Sequence, residues 1–332
     1  MNKKQKQRQL DIAKESLLEE AKETDEFVED LLISYDQAAE RLKGDIQRIL
    51  TKFADDNNLT IEQANRLLSG KEFSVWRKSI KQYLKDIEDY PEDSKMIIEL
   101  NTLSAKSRIS QKEQLLAEID KEMSKLVINT NKQITKHLTN TLVTNYYRGH
   151  YSIQKLWNVG MPVTKINNKL VKQIIEYPWS TKKFSKDIWD NTEKLTETLR
   201  KELASGLIDG NSLQKIVKRV DEVLEKGKFL TERVVRSESK YFTQQANLLA
   251  YKKMGVTEYM YKGAGCDKCA PLNGRTWKLE EAVVQVNFPP MHPFCKCIVI
   301  PVTEISLFDA QRDVTPLDQN IRFREWKEKY IK

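Results

Sequence analysis

The four cysteines of this 332-residue chain are the feature that most constrains its fold. They form two close pairs, in the segments Cys266-Asp-Lys-Cys269 and His292-Pro-Phe-Cys295-Lys-Cys297. Two pairs of soft ligands joined by an intervening hairpin are typical of a tetrahedral structural Zn²⁺ site. Because His292 adds an imidazole, the spacing predicts a site of either four cysteines or three cysteines and one histidine. A crossed pair of disulfides and unligated thiols stay open as alternatives.

A structural metal would also stabilise the fold of the surrounding segment. Residues 258–302 contain too few apolar side chains to fold alone, and structural zinc contributes on the order of 10 kcal/mol to such units. A catalytic zinc is disfavoured because four protein ligands close the coordination shell. We expect Glu280 and Glu281 on a solvated helical turn, and His292 as a turn residue or ligand rather than a general base.

Length and composition indicate two folded units with a connecting element. Charged residues make up 31% of the chain, and no apolar run reaches the length of a membrane span. No apolar stretch follows the basic N-terminus, which argues against an ordinary secretory signal. We therefore expect folding in a reducing cytoplasm, where clustered thiols bind metal more readily than they form disulfides.

Residues 1–147 are predicted to form a long-helix N-terminal region. Apolar positions from Leu17 to Leu42 recur in alternating steps of four and three, the spacing of a helix seam. The seam is weak, so a helix packed on a partner or on later helices of the same chain is favoured over a free-standing coiled coil. The helix should end at Asp55–Asn58. Further helices are predicted from Thr60 to Ser69, through Trp76–Leu84, and from about Leu103 to Tyr147.

Residues 148–180 are predicted to be a loop-rich connector, because Gly149, Gly160 and Pro162 interrupt the helical pattern. Residues 181–302 follow as a second domain, and residues 303–332 as a tail that is either a docking peptide or a solvated end. Three helices are predicted in the second domain, at 184–203, 211–224 and 231–254, the last ending at Gly255. Three short strands are predicted at 258–262, 275–278 and 297–302.

The predicted fold class is therefore mainly α. An elongated N-terminal helical region is followed by a C-terminal helical bundle, which a small Cys-rich β unit at 258–302 caps in an α+β arrangement.

The middle of the chain is basic, since Glu122 is the single acidic residue between 121 and 172. Such a segment predicts salt-dependent binding of a polyanion such as packaged DNA, without sequence specificity. Tyrosines and a tryptophan lie among the basic residues and could stack on bases. Equally open is a solvated helix face whose aromatics belong to the core. The candidate polyanion-binding residues are Lys125, Lys132, Lys136, Arg148, Lys155, Lys165, Lys169 and Lys172.

The order of short motifs from residue 236 onward resembles a known family. Arg236-Ser-Glu238 on a helix precedes Cys266-x-x-Cys269, Asn273-Gly274 and the closing His292-Pro293-x-Cys295-Lys-Cys297. This closely resembles the C-terminal domain of the Mu F-like head morphogenesis family, the minor head proteins of tailed bacteriophages. Serine at 237 and lysine at 296 replace the family's more common threonine and arginine. The resemblance covers about 180–302.

The resemblance implies a low-copy, non-enzymatic virion component that acts at the portal vertex in procapsid assembly and in DNA packaging or delivery. Implied partners are the portal protein, scaffold or major capsid protein, and packaged DNA, with no membrane. The implied location is the phage head interior or portal vertex, after assembly in the host cytoplasm. Arg236 and Glu238 are interpreted as structural, one pairing with a carboxylate and the other capping the β unit.

Two functions from other classes compete with this one. A zinc-dependent nuclease would also carry paired cysteines around a hairpin, but it needs a second histidine near the scissile phosphate. His137 and His150 lie far upstream in a helical region, which counts against it. A host DNA-binding regulator lacks a recognisable recognition helix.

Overall fold

The computed structural model describes residues 3–56, 60, 111–180, 182–208, 211–263, 265–303 and 314–332. The helices predicted at 60–69 and 76–84, and the predicted start near Leu103, lie outside these ranges. The described helices are α1 Lys3–Asp56, α2 Gln111–Trp157, α3 Asn168–Ile175, α4 Phe184–Ile208, α5 Leu213–Lys253 and α6 Phe323–Tyr330. The strands are β1 Val159–Gly160, β2 Glu258–Lys262, β3 Thr276–Lys278, β4 Ile298–Val302 and β5 Thr315–Pro316. The predicted mainly α fold with a small C-terminal β unit is confirmed.

Contacts divide the chain into two compact units. One, the terminal unit, comprises Met1–Val28, Ile134–Phe184 and Glu232–Lys332, and the other, the helical unit, comprises Glu29–Gln133 and Ser185–Thr231. This division follows contacts in space rather than the sequence boundaries at 147, 180 and 302, which stay predictions. Within the described residues, no helix has the length and apolar character needed to cross a bilayer.

The helical unit has a core built on the predicted seam of α1. Tyr35, Leu42 and Ile46 are buried with successive turns of α2, α4 and α5 in a single apolar cluster. The helix therefore packs on later helices of its own chain, which is one of the two arrangements expected, and it ends at Asp56 as predicted. The Tyr35 hydroxyl lies 2.5 Å from the hydroxyl of Thr231 inside this core. The other α1 members of the cluster are Ala38, Ala39 and Ile49.

Two predicted helix breaks are wrong, and both involve glycine. Helix α5 runs unbroken through the predicted gap at 225–230, and α2 continues ten residues into the predicted loop-rich connector, which also contains α3. A Cβ at Gly227 would lie 2.7 Å from Leu195 Cδ1, and one at Gly149 would lie 2.6 Å from Ala250 Cβ. These glycines permit close helix packing, which outweighs their poor helix propensity.

The terminal unit contains both sheets. The antiparallel three-stranded sheet has the order β3-β2-β4, with Lys262 opposite Ile298 and Glu258 opposite both Lys278 and Val302. Helix α5 closes at Gly255, whose φ of +77° suits the residue that follows a helix. The three strand predictions are confirmed to within one residue at their starts. A two-stranded ladder pairs β1 with β5.

The expectation of a solvated end or a free docking peptide is wrong for residues 314–332, because their apolar side chains pack into the terminal unit while most of the other residues are exposed. Trp326 of α6 is fully buried, and its Nε1 donates to Gln154 Oε1 at 2.9 Å. The Tyr151 hydroxyl donates to the carbonyl of Ile321, and the Val163 amide donates to that of Tyr330. The sequence shows Trp326 among charges, but its burial depends on partners more than 150 residues away.

The close approach at Gly149 gives a test of this packing. Gly149→Ala should lower the free energy of unfolding by roughly 1–2 kcal/mol, because overpacking against the rigid Ala250 Cβ outweighs the gain in helix propensity. Gly44 of α1 is exposed, and a Cβ added there would have nothing within 4 Å, so Gly44→Ala is the matched control. Gly44→Ala should raise the free energy of unfolding by about 0.5–1 kcal/mol. Urea unfolding followed by circular dichroism measures both, and equal effects would contradict the close contact.

Candidate metal centre

The sheet brings the two cysteine pairs to one place. Chain leaving β2 turns at Cys266, whose carbonyl accepts from the amides of Cys269 at 2.9 Å and Ala270 at 2.8 Å. The second pair immediately precedes β4, and the end of β2 is opposite the start of β4. Residues 266–269 and 295–297 therefore extend from the same end of the sheet.

The ligand atoms fall into two groups that share Cys269. Cys266, Cys269 and His292 form one group, and Cys269, Cys295 and Cys297 form the other, with all atoms in each group within 4.8 Å of one another. His292 Nε2 lies 3.2 Å from Cys266 Sγ and 3.5 Å from Cys269 Sγ. Zinc–sulfur and zinc–nitrogen bonds in a tetrahedron separate such atoms by about 3.5 Å. The cluster can therefore hold a metal ion.

The imidazole of His292 is oriented for binding. Its Nδ1 lies 2.7 Å from the carbonyl oxygen of Pro293. Because a carbonyl oxygen only accepts, Nδ1 carries the proton and Nε2 presents its lone pair to the sulfurs. The same carbonyl is the main cause that raises the pKa of His292, followed by the nearby Cys266 thiol. Pro293 thus orients the ring through its backbone.

All four cysteines are thiols in this structure. Cys269, Cys295 and Cys297 are buried and Cys266 is exposed. Burial raises the pKa of Cys269 to about 11, and the neighbouring Cys297 and burial raise the pKa of Cys295. The Cys269 thiol lowers the pKa of Cys266. A dication would stabilise the thiolates and displace these protons.

Asn273 and Gly274 shape the loop that carries the first pair. Gly274 has a φ of +81°, which favours glycine, and its amide donates to the Tyr261 carbonyl at 2.8 Å. The Asn273 side chain accepts from the Gly263 amide at 3.2 Å. These bonds fold the loop back on β2, which holds Cys269 over the sheet.

Tyr261 is a site residue that the sequence analysis missed. Its hydroxyl is buried beside the thiols of Cys269 and Cys297, and burial, followed by these thiols, raises its pKa. A hydroxyl in this position can donate to a thiolate, as groups around metal ligands commonly do. The alternation of Tyr259 and Tyr261 along β2 was the available signal, because it places both rings on one face.

Arg236 and Glu238 face different parts of the terminal unit. Arg236 pairs with Asp25 of α1 and with Glu232 at 2.7 Å, so its predicted pairing with a carboxylate is found. Glu238 is buried and accepts from Trp179 Nε1 at 2.9 Å. It therefore holds the segment before α4, whereas we expected it to cap the β unit.

The basic residues differ in exposure. Lys132, Lys136, Lys165, Lys169 and Lys172 are exposed, and Lys125 and Lys155 are half-buried. Arg148 is buried and makes two bonds to Glu23, of 2.6 and 3.0 Å, which removes it from the candidate polyanion surface. The interleaved aromatics are also buried, as the core interpretation expected: Tyr146, Tyr147, Tyr151 and Trp157.

The Trp179–Glu238 bond can be measured by a double-mutant cycle. Trp179→Phe keeps an aromatic ring against Tyr241, on which Trp179 stacks at 4.8 Å, but removes the donor to a buried carboxyl group. We expect a loss of about 1–3 kcal/mol in unfolding free energy. In the Glu238→Leu background, which removes the acceptor oxygens, the same substitution should cost less, since the two residues act as a pair. Identical costs in both backgrounds would show that the bond contributes nothing.

Part of the chain is similar in sequence to known proteins. Residues 197–300 match the model of the family described as phage Mu protein F like protein. A curated protein named NAD(+)--arginine ADP-ribosyltransferase EFV, from Enterococcus faecalis (strain ATCC 700802 / V583), is 22% identical over 190 residues, which cover 55% of this chain. The chain spans only 38% of the length of that relative. No solved structure matches the chain. Residues 197–300, about a third of the chain, are therefore similar to the phage Mu protein F-like family.

Proposed function

We propose that this protein is a minor head protein of a tailed bacteriophage, a low-copy and non-catalytic virion component that acts at the portal vertex. The family match over 197–300 carries the proposal. The Cys/His cluster supports a structural role, because the two groups of candidate ligands contain only thiols and one imidazole, and no carboxylate that could serve as a base.

The cluster is proposed to bind one structural Zn²⁺ through Cys266, Cys269, His292 and Cys297. Cys269 belongs to both ligand groups, and Cys266 and His292 complete the first. Of the two remaining thiols, we choose Cys297 because it directly adjoins β4 and its charge contributes to the raised pKa of His292. Small rotations of the side chains would bring Cys297 to the fourth position, which leaves Cys295 as a buried thiol behind the site. Bound zinc would cross-link the loop after β2 to the chain entering β4.

The zinc proposal predicts one ion per chain and unequal effects of two serine substitutions. Cys269→Ser should abolish stoichiometric zinc and lower the thermal midpoint of the β unit while helix content stays near the parent value, since the metal contributes on the order of 10 kcal/mol to such units. Cys295→Ser is the matched control and should retain one zinc. Elemental analysis of reduced, desalted protein with circular dichroism melts measures both. Zinc-free reduced parent protein would favour disulfides instead.

The portal role predicts a specific complex. Purified protein should co-elute with its cognate portal protein in size-exclusion chromatography across a NaCl series, and mass spectrometry of purified heads should find it below the copy number of the major capsid protein. Scaffold and major capsid protein are the other partners to test in the same way. Absence from heads together with no portal complex at low salt would contradict the proposal.

Two enzymatic alternatives are tested alongside. The relative's name describes ADP-ribosyl transfer to arginine, and paired cysteines around a hairpin also occur in nucleases. The non-catalytic proposal requires that zinc-loaded protein neither transfers ADP-ribose from NAD⁺ to an arginine substrate nor nicks plasmid DNA. Turnover that His292→Ala abolishes would overturn it in favour of the nuclease.

Contact with packaged DNA is proposed as non-specific. Lys136, Lys165, Lys169 and Lys172 of the terminal unit expose their ammonium groups, although Lys172 also lies 3.8 Å from Glu176. Such residues bind phosphates through counterion release, without reading bases. The buried aromatics leave no stacking platform on this segment, so single strands should not be preferred.

A further inference from the structure

A cavity in the terminal unit lies apart from the cysteine cluster. Its volume is about 950 Å³, within the range of ligand pockets. The chain segment 161–167, Leu170 of α3 and the end of α5 form its walls, and α2 contributes Tyr146 and His150.

The segment that forms one wall is fixed by hydrogen bonds. Gln154 bonds both the carbonyl of Met161, at 3.0 Å, and its amide, at 3.1 Å. Val163 is held by the carbonyl of Tyr330 and the amide of Lys332, and the Tyr147 hydroxyl accepts from the Ile166 amide at 3.2 Å. A wall fixed in this way loses little conformational entropy when a ligand binds.

His150 is the unusual group in this cavity. Only 4% of the residue is exposed, and neither ring nitrogen has a hydrogen-bond partner in the described chain. Burial, with a contribution from Lys253, lowers its pKa to about 4, so the ring is neutral. A buried, unsatisfied imidazole is costly, and a polar group entering the cavity would remove that cost.

The charges around the cavity have one sign. Lys165, Lys252 and Lys253 line it and are exposed, and none of the described lining residues is acidic. The remaining lining is largely apolar, with Met161, Val163, Ile166, Leu170 and Met254 among it. An apolar cavity with a cationic rim is complementary to an apolar group that carries or adjoins carboxylates.

We propose that this cavity is a docking site for an acidic segment of a partner protein, which inserts an apolar side chain against Met161 and Leu170 while its carboxylates face the three lysines. A backbone or side-chain polar group of the segment bonds His150. Nucleic acid fits less well, because the single aromatic side chain of the described lining apart from His150, Tyr146, is buried and offers no face for a base.

The first test determines which kind of peptide the cavity binds. An mRNA-displayed library of random peptides is selected on the purified full chain and counter-selected on Thr164→Trp, which fills the cavity from an exposed lining position. Recovered peptides should be enriched in Asp and Glu beside Leu, Ile, Phe or Met. Recovery of peptides without an excess of acids, or no enrichment over the counter-selected pool, overturns the proposal.

The second test locates the binding of the leading peptide by fluorescence anisotropy. Lys253→Glu should weaken it about fivefold or more, with a shallower salt dependence. Lys186→Glu, an exposed lysine of α4 with the same change in charge, is the matched control and should leave affinity unchanged. Equal effects of the two substitutions overturn the site.

A third variant separates binding from folding. His150→Phe removes both unsatisfied nitrogens, so the thermal midpoint of the protein should stay the same or rise. The same variant should bind the peptide about tenfold more weakly. Unchanged affinity in a folded variant overturns the role of His150. Dodecanoate is tested as a small-molecule competitor of the peptide. If micromolar dodecanoate displaces the peptide with an affinity equal to that of the peptide, the cavity is assigned to a fatty acid instead. These outcomes are independent of the portal test, since they use the purified chain alone.

Discussion

Antiparallel pairing of β2 with β4 is the interaction on which the Cys-rich unit depends. The pairing of Lys262 with Ile298 fixes where the chain leaves one strand and enters the other. Closing a long loop costs conformational entropy, and the five-residue ladder between the strands offsets part of that cost. The thiols of Cys269 and Cys297 are thereby placed in one group of candidate ligands. A one-residue slip of this register would turn Tyr261 away from the sulfurs.

Helix α5 connects the three-stranded sheet to other parts of the terminal unit. Val299 of β4 donates to Gln244 Oε1 at 3.4 Å, and the Tyr251 hydroxyl donates to the carbonyl of Val299 at 3.4 Å. Farther back along the helix, the buried carboxyl group of Glu238 accepts from Trp179. The same helix therefore holds the sheet at one end and the segment before α4 farther along. The Arg236-Ser-Glu238 motif and the cysteine motif are therefore connected through one helix.

Sequence reasoning succeeded where the information is local and failed where it is not. The α1 seam, the end of that helix, the three strands and the pairing of the cysteine segments follow from periodicity, capping and spacing. Gly149 and Gly227 misled because glycine lowers helix propensity by only about 1 kcal/mol, which close packing against Ala250 or Leu195 readily exceeds. Trp326 was assigned to a tail because charged residues flank it on both sides. Its partners Gln154 and Tyr151 are distant in sequence.

The cysteine cluster and the cavity of the terminal unit depend on different sources of stability. The buried apolar side chains of the β unit include Tyr259, Phe288 and Ile300, and a bound structural metal would add on the order of 10 kcal/mol to what they contribute. The wall of the cavity depends instead on α6, where burial of Trp326 and its hydrogen bond supply about 3–5 kcal/mol together. Loss of metal should therefore loosen the cysteine loops while Val163 and Met161 keep their places. The cavity can then bind a partner segment whether or not the cysteine cluster is loaded, which makes the two sites energetically separable.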